Sequence, residues 1–232
     1  MERARERVKI IKRTVPINLV CADRVSDKIY SHQEGGVIQN NSLKMKVYNF
    51  PDFASAFLNF HKDFPALIAS LVHRRISRAF ESKIMLTVTA VNGCTYCAWF
   101  HSKAALQAGL NHNEVKLLLS SQLNRHIDDE DVVALNFAVH YADTDQKPDK
   151  ELLNNLFEVY GQKTAEDILL RLRMIYFGNL CGNTFKAFLS RVQGRKQENS
   201  FWLTELVIFI MLSPLLGPIA LLMKKERPGA LQ

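Results

Sequence analysis

The residues best suited to chemistry are Cys94-Thr95-Tyr96-Cys97 and, four positions on, His101. On a helix, offsets of three and four put all three side chains on one face and within reach of one another. Asn92-Gly93 is a turn signal, so a helix is expected to start at or near Cys94, with Cys97 in its first turn. The unpaired amides and helix dipole at such a start favour a thiolate, and an imidazole one turn on can accept the thiol proton. Thiolate is the reacting form in disulfide exchange and in attack on a peroxide. A second cysteine three residues away can then capture a sulfenic acid as an internal disulfide.

Other uses of these residues compete. A c-type haem site needs histidine directly after the second cysteine, and Ala98 stands there, which excludes it. A structural zinc site could take Cys94, Cys97 and His101 but needs a fourth ligand, for which Cys181 or His73 are the tertiary candidates. A thioredoxin-type fold also places CxxC at a helix start after a strand. Residues 84–91 could be that strand, yet no further strands follow to make the sheet. Two inert core cysteines beside an unrelated histidine are the plain alternative. The redox, zinc and inert readings all stay open on spacing alone.

The elements that position these residues read as helices. Pro51-Asp52 opens a segment with Phe53, Phe57 and Phe60 at helical spacing, and Pro65 is expected to start a second helix carrying Leu67, Ile68, Leu71 and Val72. Residues 84–91, Ile-Met-Leu-Thr-Val-Thr-Ala-Val, are ambiguous between strand and helix. Residues 95–109 read as helical to Gly109, and Asn113 is expected to cap a helix bearing Val115, Leu118 and Leu119. A helix from Asp128 or Asp129 ends near Tyr141, and another runs from Pro148-Asp149 to about Tyr160. The last starts at Thr164 with an acidic first turn and reaches Arg191. The fold class is therefore all-α.

The 232 residues are 47% hydrophobic and 23% charged, ordinary globular values. Four cysteines are too few for a disulfide scaffold in a chain of this length and suit a reducing compartment, so a cytoplasmic location is expected. Residues 1–16 form a basic leader, and 17–32 are expected to form a short helix before a loop at Gly35-Gly36 and Asn40-Asn41. The net charge of +7 is concentrated in that leader and at Lys224, Lys225 and Arg227, with no aromatic-interleaved patch. This points away from nucleic acid and towards an anionic membrane surface. Residues 206–223 are an 18-residue uncharged run between Trp202 and Lys224-Lys225, near the length needed to cross a membrane; a helix buried in a subunit interface or in the domain's own core is the alternative.

The stretch from Val91 through Cys94, Cys97 and His101 to Ala105, continuing to Gly109-Leu110, resembles the signature of the alkylhydroperoxidase D-like, or carboxymuconolactone decarboxylase-like, family. Leu135-Asn136-Phe137-Ala138 with Lys147-Pro148 resembles that family's next helix and loop. The tract Ile175 to Phe185, with Asn183 late in it, resembles its final apolar helix. Gly36 to Asn40 and Pro51 are looser matches. The resemblance implies an alkylhydroperoxidase D-like helical bundle over residues 17–192, followed here by a hydrophobic segment at 201–227. It implies homo-oligomers, trimeric or larger, and reduction of a peroxide with a thiol or lipoyl-type partner as reductant; no cofactor and no metal are expected.

Carried over residue by residue, the resemblance makes Cys97 the peroxidatic thiol, Cys94 the resolving thiol and His101 the base of a proton relay with a glutamate. That glutamate's usual position, twelve before the first cysteine, holds Ser82, and Glu81 is its neighbour. One residue on a helix is about 100° of rotation, so either a local shift brings Glu81 in or the relay is altered. The family's other name suggests decarboxylation of a lactone acid, but those members generally lack the cysteine pair. A zinc-stabilised or membrane-bound assembly module is the non-enzymatic alternative. His140, Tyr141, Asn179, Asn183, Cys21, Cys181 and the set Phe53, Phe57 and Phe60 read as capping, packing or core groups.

Overall fold

The computed structural model describes residues 45–120, 129–197 and 200–226. The basic leader, the expected helix over 17–32 and Cys21 lie outside the described residues. These contain eight helices and no strand: α1 (Phe50–His73), α2 (Arg78–Asn92), α3 (Thr95–Gln107), α4 (His112–Leu119), α5 (Asp129–Asp143), α6 (Lys150–Tyr160), α7 (Gln162–Val192) and α8 (Trp202–Glu226).

The starts of the helices follow from local hydrogen bonding. The Asn49 side chain accepts from the Asp52 amide ahead of α1, and Ser77 accepts from Phe80 ahead of α2. A reciprocal pair, Glu114 N–H to Asn111 and Asn111 N–H to Glu114, makes a capping box, so α4 is capped by Asn111 rather than Asn113. Pro65 does not divide α1. It lies on the exposed side, where the His61 carbonyl it leaves unpaired can be met by water. Gly161 is the N-cap of α7, three residues earlier than the expected Thr164 cap, and makes no side-chain cap bond.

The ambiguous stretch is helical. Residues Ile84 to Thr89 of α2 are all buried, because α2 is the central element, enclosed by α3, α4, α5 and α7. A helix apolar all round belongs in a core, and packing on every side overrides the β-branched composition. The long α7 is the second axis, touching α1, α2, α3, α5, α6 and α8. It runs parallel to α2, joined by polar rungs that each link α2 to a residue 90 or 91 positions later. Thr89 Oγ1 donates to Asn179 Oδ1 at 3.2 Å, and Asn183 Nδ2 donates to the Asn92 carbonyl at 2.9 Å. The third rung is the Glu81–Arg171 ion pair. α8 folds back along α7 and, among the described residues, is the one helix long and apolar enough to cross a membrane.

Candidate active site

α2 ends in a turn that delivers the first cysteine. Gly93 is left-handed, φ +69°, and its N–H closes on the Thr89 carbonyl at 2.9 Å, a conformation that favours glycine. Cys94 then becomes the N-cap of α3, and its Sγ accepts the Cys97 amide at 3.3 Å. Cys94 and Cys97 are joined as a disulfide with Cα atoms 5.3 Å apart. The two sulfurs differ in access: Cys94 is 1% exposed, whereas Cys97 is only partly buried.

The floor beneath the disulfide is α7. A Cβ placed on Gly182 would lie 2.7 Å from Cys94 Sγ and 3.5 Å from Cys97 Sγ, so only glycine leaves room for the sulfurs. One turn back, the Gly178 carbonyl lies 3.8 Å from Cys97 Sγ, placed to accept from the thiol when the pair is reduced. Between the cysteines, Tyr96 packs edge-on against Phe185 of α7, with centroids 5.7 Å apart.

His101 follows Cys97 by one turn of α3, and its ring stands edge-on to Phe100. Burial pushes its imidazole down to about 4, so at neutral pH it is an uncharged base. Among the described residues no hydrogen-bond partner is seen for it. Glu81 sits in the first turn of α2 and its Oε1 lies 2.6 Å from Arg171 Nε. The approach is off the N–H direction, so this is an ion pair rather than an aligned hydrogen bond. Arg171 is 1% exposed and Glu81 19%, so the carboxylate is the counter-ion of a buried guanidinium. Ser82, next to it, is buried. The structure thus joins Cys94 and Cys97 at the start of α3, sets His101 one turn further along the same helix, and pairs Glu81 with α7.

Gly178, Gly182 and Arg171 are the site residues that sequence reasoning missed. The available signals were two glycines one turn apart in an apolar helix, which mark a close approach, and an arginine set among leucines in an apolar tract. Three asparagines are buried nearby, and Asn92 Nδ2 and Oδ1, Asn179 Nδ2 and Asn183 Oδ1 have no partner among the described residues. Cys181 is buried, and burial pushes its thiol up, away from reactivity. Among the described residues no three His, Cys, Asp or Glu side chains come together to hold a metal. A cavity of about 1020 Å³ lies on another face of α7, lined in part by Phe60, Tyr141, Arg173 and Phe177, and contains no cysteine.

Residues 51–140, which run from α1 into α5 and carry Glu81, Cys94, Cys97 and His101, match the sequence model of the carboxymuconolactone decarboxylase family. The chain is similar to that family over this stretch. The family includes alkylhydroperoxidase D-like peroxidases as well as decarboxylases, and the all-α architecture accords with it. Comparison with curated proteins and with solved structures finds no match. Gly178 and Gly182, which lie beneath the disulfide, and Arg171, which pairs with Glu81 towards the other end of α2, lie beyond the matched stretch.

Proposed function

We propose that this chain is a thiol-dependent peroxidase or disulfide oxidoreductase of the alkylhydroperoxidase D-like kind, with Cys97 as the attacking thiol. The observation that carries the reading is the asymmetry of a paired CxxC, with Cys97 reachable and Cys94 buried at a helix N-terminus. His101, uncharged at neutral pH, accepts the Cys97 thiol proton. The thiolate attacks the distal oxygen of ROOH, giving Cys97 sulfenic acid and RO⁻, which takes a proton and leaves as ROH. Cys94 thiolate then attacks Cys97 Sγ, forming the disulfide and expelling hydroxide, which leaves as water.

Reduction reverses the polarity. A partner dithiol attacks the accessible Cys97 Sγ, and Cys94 departs as a thiolate stabilised by the Cys97 amide at 3.3 Å. The partner's second thiol then releases itself as its own disulfide. Because Glu81 is held by Arg171, the relay in this reading ends at His101 and Glu81 has a structural part. We place the enzyme in the cytoplasm as a homo-oligomer. The exposed apolar side chains of α1, Phe50, Phe64, Ile68 and Val72, offer the surface for assembly. The joined cysteine pair gives the lactone-acid decarboxylase reading no support.

The test is peroxide consumption by a reduced enzyme supplied with a dithiol. Cys97→Ser should abolish turnover, and Cys94→Ser given peroxide without the dithiol should stop at one sulfenic acid per chain and form no internal disulfide. Full turnover by the double variant would sink the proposal.

A further inference from the structure

The inner face of α8 is committed to the domain. Glu205 is fully buried, and both of its carboxylate oxygens are held by Arg191 of α7, at 2.6 and 2.8 Å. Phe209 stacks on Phe185 and lies tilted against Phe188, with centroids 5.1 and 4.4 Å apart. Leu212 and Leu216 pack on the same core. Only residues 217–223 of the apolar run lie beyond these contacts, about 10 Å of helix at 1.5 Å per residue against a hydrocarbon core of about 30 Å. Length and composition alone permit a span; the packing of α8 does not.

The outer face is apolar and open. Trp202, Ile210, Met211, Leu215, Leu221 and Leu222 are exposed, Ile210 and Leu215 at 63% each. From Leu206 to Met223 the single hydroxyl, amide or charged side chain is Ser213. Its hydroxyl donates to the Ile210 carbonyl at 3.3 Å, the very group that Pro214 leaves without an amide partner. That bond repairs one of two such gaps, since Pro218 likewise leaves the Pro214 carbonyl without an amide, and both prolines are exposed. The side chains from Leu206 to Met223 offer no further hydrogen bond to a neighbour. A protein partner would be expected to form about one per 100–200 Å² of interface, whereas for a helix lying at the headgroup level water can meet the remaining carbonyl. Exposed Phe201 and Trp202 open the helix and Lys224-Lys225 close it, the two residue types that suit the headgroup level, in a chain of charge +7.

We propose that α8 lies along the surface of an anionic membrane with its outer face immersed and does not cross it, seating the domain as a peripheral protein. This is independent of the thiol chemistry. The test is flotation of the full chain with phosphatidylcholine vesicles that contain or lack phosphatidylserine. Ile210→Glu/Leu215→Glu should weaken binding more than about tenfold with helix content and the Cys94–Cys97 redox reaction unchanged. Lys224→Glu/Lys225→Glu should weaken binding only to the phosphatidylserine vesicles. Undiminished binding by the first variant would overturn the proposal. So would protection of a C-terminal tag from protease outside sealed vesicles, which means a span. A wild type that ignores vesicles and is split to smaller oligomers by the first variant would mean that a second copy covers α8.

Discussion

Gly178 and Gly182 are one turn apart in the middle of α7, and replacing each with alanine should have opposite effects on stability. A helix-interior Gly→Ala change stabilises by about 0.5–1 kcal/mol when there is space for the methyl group. At Gly178 nothing lies within 4 Å of an added Cβ, so the full gain is expected. At Gly182 the Cβ would lie 2.7 Å from Cys94 Sγ, closer than real Cβ contacts allow. That sulfur cannot step aside, since its residue is buried, caps α3 and is joined to Cys97. Overpacking of this kind costs about 1–3 kcal/mol.

Helix propensity is common to both variants, so the difference between them isolates the steric term, about 1–3 kcal/mol in favour of Gly178→Ala. Urea unfolding of the two oxidised proteins, fitted with one slope, measures it. Reduction frees the sulfurs to rotate, so the gap should shrink when the melts are repeated with reductant. The strain specific to the oxidised form should also make the Gly182→Ala disulfide easier to reduce, by about 20 mV per kcal/mol for a two-electron couple. If oxidised Gly182→Ala is as stable as Gly178→Ala, then α7 does not press on the disulfide and the described floor of the site is wrong.

His101 has its imidazole pushed down to about 4 by burial, so between that value and the ordinary one near 6.5 the unfolded chain binds a proton that the native state refuses. Stability should therefore fall on acidification through this window, by at most about 3 kcal/mol; His101→Gln should flatten that part of the curve in urea melts. Glu81→Gln should leave peroxide turnover per folded molecule unchanged. It should destabilise the fold, at or below the lower end of the roughly 3–5 kcal/mol typical of breaking a buried ion pair, since Glu81 keeps 19% exposure. A hundredfold loss of turnover with the fold intact would instead place Glu81 in the proton relay. At Glu205 burial acts to raise the carboxyl, but hydrogen bonds from Arg191 and Ser200 outweigh it and hold the carboxyl below its usual range. Its contribution is present above the ordinary carboxylate range and lost as pH falls through the depressed value. Limited proteolysis of α8 should thus accelerate in acid, and Glu205→Gln should show the acceleration already at neutral pH.

The parts of this molecule that the sequence disclosed are those written in short-range spacing. Cys94, Cys97 and His101 belong to one helix start and could be grouped from offsets of three and four. The ends of most helices were likewise marked by residues acting on their own neighbours. The failures fall where a partner is distant in sequence. Whether residues 84–91 were strand or helix depended on α5 and α7 enclosing them, which no local pattern records. Pro65 read as a boundary because the cost of a proline inside a helix depends on whether its orphaned carbonyl meets water, a matter of exposure. Glu81 was seen as a displaced relay residue because its partner, Arg171, is 90 positions away. Gly182 is a site residue only because α3 passes over it.

Phe185 joins the Cys94–Cys97 turn to α8. One side of its ring meets Tyr96, the residue between the cysteines' first neighbour and Cys97, and the other stacks on Phe209 of α8. α8 therefore buttresses the cysteine turn through this aromatic contact as well as by touching α3 directly, even though its outer face points away from the domain. The ion pair that pins the start of α8 is further along, since Arg191 lies nine residues beyond Gly182, about 13 Å along the α7 axis. The arrangement separates two tests that would otherwise be confused. Substitutions at Ile210 and Leu215 act on the exposed face and leave the Tyr96–Phe185–Phe209 contact in place, so a change in membrane binding without a change in thiol chemistry is physically attainable. Loss of Phe209 or of the Arg191–Glu205 pair removes the buttress itself, and there the two readouts must move together.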